Sequence, residues 1–166
     1  MSIRSLTRTA LLIAVTTVAT LVIRLPNPAT QGYINLGDAV VLSTALAFGR
    51  RAGGLTGGLG SALADLLSGY AIWAPWTLVI KGVEGTLVGL IGAWGQTRPP
   101  GWSRASVFVV ALMIGSITMV GGYYFAGRFL FGSVAAITEV PGNIVQVCIG
   151  SVVAIPLSTL LKKLFP

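Results

Sequence analysis

Asp65, Lys81, Glu84 and Glu139 each fall in or at the edge of an apolar run, where a charge has few ways to be solvated. Ionisable groups in such places are expensive and usually line a cavity or pair with one another. Lys81 and Glu84 are three residues apart, so a helix would put them on one face as an ion pair. Two readings stay open for that pair: it neutralises itself and holds helices together, or it shares its polarity with a ligand. Asn143 and Gln146 add hydrogen-bonding groups shortly after Glu139, about one turn apart. Asp38, at the start of another apolar run, reads as a carboxylate favoured at a helix N-terminus.

This inventory excludes more than it offers. There is no His, a single cysteine (Cys148) and four acidic residues in all. General acid–base and metal chemistry therefore have little to work with. The sequence carries no glycine-rich phosphate loop and no nucleophile elbow. No enzyme, cofactor or metal is expected.

The elements that must position these side chains are membrane helices. Of 166 residues, 54% are hydrophobic and 9% charged, and the mean hydropathy is +0.87. A soluble domain runs near 25% charged. A span needs roughly 20 residues, so six would use about 120 and leave only short connections. The expected spans are Leu6–Ile23, Gly37–Phe48, Ala52–Tyr70, Pro75–Trp94, Ala105–Phe125, and a last one opening near Glu139–Gly142 and ending at Lys162 and Lys163. The expectation is one all-α domain over 1–166 with six transmembrane helices. Leu6–Ile23 has the layout of a signal peptide, but the later spans argue for a retained helix. Leu25–Leu36, with Pro26 and Pro28, reads as a long loop and a candidate lid.

Basic residues set the orientation. An inside N-terminus puts Arg4, Arg8, Arg50, Arg51, Arg98, Arg104, Lys162 and Lys163 at the cytoplasmic ends and leaves only Arg24 and Arg128 outside. Both termini are then cytoplasmic, in a multi-pass protein of the cell membrane. The net charge of +7 needs no nucleic acid to explain it. In this topology Asp65, Lys81, Glu84, Glu139, Asn143 and Gln146 converge from three helices near the outer surface. Trp73 and Trp76 share that level, either as an interfacial belt or as ring-stacking groups. Tyr33 and Asn35 on the first loop would cover such a pocket.

Small residues form stripes. Gly53, Gly57 and Gly60 share a face, as do Gly82, Gly85, Gly89 and Gly92, which suits close helix packing in lipid. Ala10 and Ala14 are four apart in the first span, extended by Thr7 and Thr17.

Together these features resemble the substrate-binding S component of an energy-coupling factor (ECF) vitamin transporter. The likeness covers nearly the whole chain. It rests on the size, the six spans, the Ala10/Ala14 pair, the long first outer loop, and three stretches: Tyr33-Ile34-Asn35-Leu36-Gly37-Asp38, Gly60-Ser61-Ala62-Leu63-Ala64-Asp65-Leu66, and Lys81-Gly82-Val83-Glu84-Gly85. The resemblance implies that a small vitamin or precursor is captured from outside and delivered through a membrane-embedded coupling subunit and two ATPases. It implies that Ala10 and Ala14 contact the coupling subunit and that the outer polar cluster binds cargo under a gating loop. A pyridoxine-like or pyrimidine-precursor ring would suit Trp76 for stacking and Lys81, Glu84 and Asn143 for hydrogen bonds. A membrane scaffold with a purely structural ion pair, and an intramembrane enzyme, are the competing readings.

Overall fold

The computed structural model describes residues 3–165. Helix α1 (Ile3–Val22) leads into two short strands, β1 (Arg24–Asn27) and β2 (Gly32–Asn35). They pair antiparallel with Pro26 opposite Tyr33, so the expected loop is a β-hairpin and the fold is not wholly α. Pro26 is tolerated because a two-stranded sheet has only edges.

Helix α2 (Gly37–Phe48) follows, and Gly49, at φ 82°, turns the chain sharply into α3 (Arg50–Leu55). A π-helical turn (Thr56–Gly60) joins α3 to α4 (Ser61–Leu67), so residues 50–67 run as one rod. Helices α5 (Ala74–Gln96), α6 (Trp102–Phe131) and α7 (Ser133–Leu164) complete the chain.

Four of these helices, α1, α5, α6 and α7, are long and apolar enough to cross a membrane. Their large apolar side chains are widely exposed, Val79, Ile117 and Val152 among them. That is the surface expected of helices whose solvent is lipid. The expected boundaries between the last two helices need correction. Residues 126–138, expected to connect two spans, are helical apart from Gly132, whose φ of 88° makes the turn between α6 and α7. Two long helices joined by one residue leave no slack there, which fixes the entry of Glu139 into the bundle.

Helix α2 is short for a different reason. Ten of its twelve residues are buried, and a helix apolar on all sides belongs in the interior. It packs against α1, α3, α5 and α7. Leu42, Ala45 and Leu46 meet Val88 of α5, Met119 of α6 and Val147 of α7 in the main core cluster.

The glycine stripes do what their spacing foretells. A Cβ on Gly85 would strike the Gly53 backbone, and one on Gly57 would strike the Lys81 backbone. Helices α3 and α5 therefore touch main chain to main chain, and α5 is held at a fixed rotation against the rod. That rotation aims Lys81 inward.

Candidate functional site

One end of the bundle gathers the C-termini of α1, α4 and α6, the N-termini of α2, α5 and α7, and the hairpin. Beneath the hairpin lies a cavity of about 30 Å³, lined by Thr20, Gly32, Tyr33, Asn35, Ser61, Asp65, Trp73, Thr77, Lys81, Tyr123, Glu139, Asn143 and Gln146. That volume holds about one or two waters, so a larger guest enters only if the hairpin and side chains give way.

The floor is ionic. Lys81 is 2% exposed and donates to Asp38, and to Glu84 Oε2 at 2.9 Å. Gln146 Nε2 donates to the other Asp38 oxygen at 3.0 Å, and Gln146 Oε1 accepts the Asn35 backbone N–H at 2.7 Å. A single line of polar contacts thus runs from the base of the hairpin to the buried charges. Asp38 stands in the first turn of α2, as expected from its position, and it also pairs with Lys81. It is 1% exposed and makes no helix-capping hydrogen bond, because burying Lys81 beside only one carboxylate would leave its other donors unmet. Glu84 is fully buried below Lys81 and does not line the cavity.

The hairpin is polar on its underside. Tyr33 Oη donates to Asp65 Oδ1 at 2.6 Å. Burial and the neighbouring Asp65 charge push the Tyr33 phenol above its ordinary pKa, so it stays a donor through the physiological range. At the hairpin tip Thr30 is completely buried. Its hydroxyl donates to Glu139, and its carbonyl accepts the Trp73 indole N–H at 3.1 Å. Asn27 Nδ2 donates to Thr138 Oγ1 at 3.1 Å at the rim.

Of the expected site residues, Tyr33, Asn35, Asp65, Trp73, Lys81, Glu139, Asn143 and Gln146 all line this cavity. Trp76 does not. It is half-buried on the flank of α5, where its ring meets Phe129 at 5.5 Å. Trp73, turned inward over Tyr123 at 5.8 Å, is the aromatic wall in its place. Sequence reasoning missed Thr20, Ser61, Thr77 and Tyr123 because hydroxyls in apolar helices are common and cheap. Tyr123 Oη donates to Thr77 Oγ1 at 3.1 Å, closing the side of the cavity.

Three lining residues keep a buried polar atom without a hydrogen-bond partner: Thr20 Oγ1, Asp65 Oδ2 and Asn143 Nδ2. Other buried polar atoms without a partner, Thr16 Oγ1, Thr44 Oγ1 and Glu84 Oε1 among them, lie away from the cavity, so these three are set apart by lining one space together.

On α1, Ala10 and Ala14 are exposed, with Leu11, Val15 and Val18 beside them. Thr17, expected on the same face, is instead buried and donates to the Gly60 carbonyl at 2.9 Å. The free small-residue face is thus limited to the first half of the helix.

The chain is similar to known proteins along most of its length. An uncharacterised Pyrococcus woesei protein is 41% identical over 147 residues, 89% of this chain and 94% of the relative. The thiamine precursor transporter HmpT of Lactococcus lactis is 33% identical over 163 residues, 98% of this chain and 90% of that protein. A UPF0397 protein of Streptococcus pneumoniae is 37% identical over 68 residues, 41% of this chain and 37% of the relative. The model of the family described as the ECF-type riboflavin transporter, S component, matches residues 1–163. The chain therefore belongs to this family of S components and is a membrane transporter subunit, not an enzyme.

Proposed function

We propose that this S component captures a small, single-ring vitamin or vitamin precursor in the cavity beneath the hairpin and hands it to a coupling subunit driven by two ATPases. The observation that carries the reading is the set of orphaned buried atoms, Thr20 Oγ1, Asp65 Oδ2 and Asn143 Nδ2, converging on one cavity. A purely structural cluster would be expected to satisfy them, whereas a bound polar ring supplies the missing partners.

The spans and orientation belong to the same reading. The rod of residues 50–67 and the buried α2 complete six crossings, with both termini in the cytoplasm. Arg4, Arg8, Arg50, Arg51, Arg98, Arg104, Lys162 and Lys163 then face the cytoplasm, and the cavity opens outward. The exposed Ala10/Ala14 face of α1 is the docking surface for the coupling subunit, because small side chains let a second helix approach closely.

Chemistry narrows the cargo. Lys81 is already paired with Asp38 and Glu84, while Asp65 and Glu139 line the cavity as acceptors, so the site favours a ligand rich in hydrogen-bond donors. Trp73, Tyr33 and Tyr123 provide aromatic walls for a flat ring. A pyrimidine precursor or a pyridoxine-like ring fits this description. Riboflavin, with three fused rings and a long polyol, needs far more rearrangement of so compact a site. HmpT, named for a thiamine precursor, is similar over nearly the whole chain, which supports the smaller class.

Mass spectrometry of the protein purified without added ligand tests this. A one-ring B-vitamin or precursor should leave with the protein on denaturation. Recovery of riboflavin alone would reject the cargo class, and recovery of no vitamin, with no micromolar binding across a B-vitamin panel, would reject the capture role.

A further inference from the structure

At the end of the bundle opposite the cavity, α6 begins and α7 ends side by side. Between them is an open cleft of about 770 Å³. Its rim carries Arg104, Lys162 and Lys163, and its walls include Phe108 and Ile155, with Trp102 at the mouth. Trp102 is 94% exposed, an extreme value for the largest aromatic side chain.

Among the described residues no acidic side chain pairs with these three cations, and both ion pairs belong to Lys81. The four acidic side chains lie in the half of the bundle toward the hairpin. Lys162 lies about 35 Å from Glu139 along α7 at the ordinary helical rise, somewhat more than the roughly 30 Å of a bilayer's hydrocarbon core, so the two can stand at opposite interfaces. Arg104 is held in place by donating Nε and Nη2 to the Arg98 carbonyl, at 3.0 and 2.5 Å. Its Nη1 and both lysine ammoniums remain for an outside acceptor.

We infer that this cleft seats an anionic phospholipid. The phosphate lies between Arg104, Lys162 and Lys163, Trp102 sits at headgroup depth, and an acyl chain runs down Phe108 and Ile155. Charge complementarity selects this occupant, because the cleft joins unpaired cations to an apolar wall at the depth where lipid phosphates lie. The cleft beside Arg50 and Arg51 is a weaker match. Both of its cations come from one helix, and it has no aromatic side chain. The inference goes beyond cargo capture and holds whichever ring the cavity binds.

Native mass spectrometry of the full chain, relipidated with phosphatidylglycerol or phosphatidylcholine, is the test. Wild type should retain phosphatidylglycerol selectively. The K162Q/K163Q variant should weaken that retention about tenfold or more, while K162R/K163R and R50Q/R51Q keep it. The substituted lysines are exposed, and equal thermal unfolding of all variants in phosphatidylcholine confirms intact folds. Equal retention of the two lipids by wild type overturns the inference. So does unchanged retention in K162Q/K163Q, or an equal loss in R50Q/R51Q, which would mean diffuse attraction to the surface. If K162Q/K163Q lowers association with the coupling module and leaves lipid retention alone, the cleft is a protein-docking surface and the lipid assignment falls.

Discussion

Lys81 decides the residue scale. It is the sole ammonium in the polar cluster, held by Asp38 and Glu84, and its removal strands two buried carboxylates. Lys81→Met should cost about 3–5 kcal/mol, read as a large fall in unfolding temperature in detergent. Adding Asp38→Asn and Glu84→Gln to that variant should recover much of the loss, because the stranded charge, more than the missing pair, sets the cost. Tyr33→Phe removes a donor to Asp65 and should speed cargo release about tenfold or more, from the usual 1.5–3 kcal/mol of a hydrogen bond to a charge. The Tyr33 phenol titrates above its free value, so its contribution is fully present below about pH 10. It fades only as pH rises past that point, so the difference in cargo release rate between wild type and Tyr33→Phe should be level from pH 6 to 9 in a titration series. Much of this site was legible. Asp65, Lys81, Glu139, Asn143 and Gln146 stand out because polar groups in apolar runs demand a reason. Asp38 does stand in a first helical turn, and its pairing with Lys81 was hidden because a carboxylate there already has an ordinary explanation. Trp76 was misplaced because type and depth are visible in a sequence, while rotation about α5 depends on the Gly53–Gly85 contact.

At the scale of elements, the hairpin and the glycine contact do the positioning. The hairpin is tied down by Thr30, Tyr33, Asn35 and Asn27, and its buried tip makes it a closed lid. Gly85→Val should destabilise by about 1–3 kcal/mol, seen in thermal unfolding, with weaker cargo binding as Lys81 turns away. Gly82→Ala is a control, since a Cβ there meets nothing nearer than 3.7 Å. Replacing Ala10 and Ala14 with Trp should abolish uptake in cells while leaving binding by the purified protein intact, because both face outward from α1; lost binding would refute the docking role. The long helices were legible from hydropathy. The hairpin was not, since Arg24-Leu25-Pro26-Asn27 has little strand propensity and pairs only because the bundle end beneath it offers partners. The helical stretch of residues 126–138 was hidden because Gly127, Arg128, Gly132 and Ser133 resemble a loop, whereas only Gly132 breaks the helix.

The whole molecule is chemically polarised along its helices. Every carboxylate sits with Lys81 toward the hairpin end, and eight of the eleven basic residues sit at the other. In the proposed function, the first end captures polar cargo and the second meets the anionic surface of the membrane and the coupling partners. This asymmetry needs no separate domain, because consecutive helices reverse direction and return each polar terminus to its own side. Capture beneath the hairpin is tested by equilibrium binding to the purified protein, followed by intrinsic tryptophan fluorescence, with Trp73 in the cavity wall. Saturable one-to-one binding of a one-ring vitamin or precursor, micromolar or tighter and lost in Asp65→Ala, is the predicted result. Tight binding that Asp65→Ala and Asn143→Ala leave unchanged would place the cargo elsewhere and contradict the account.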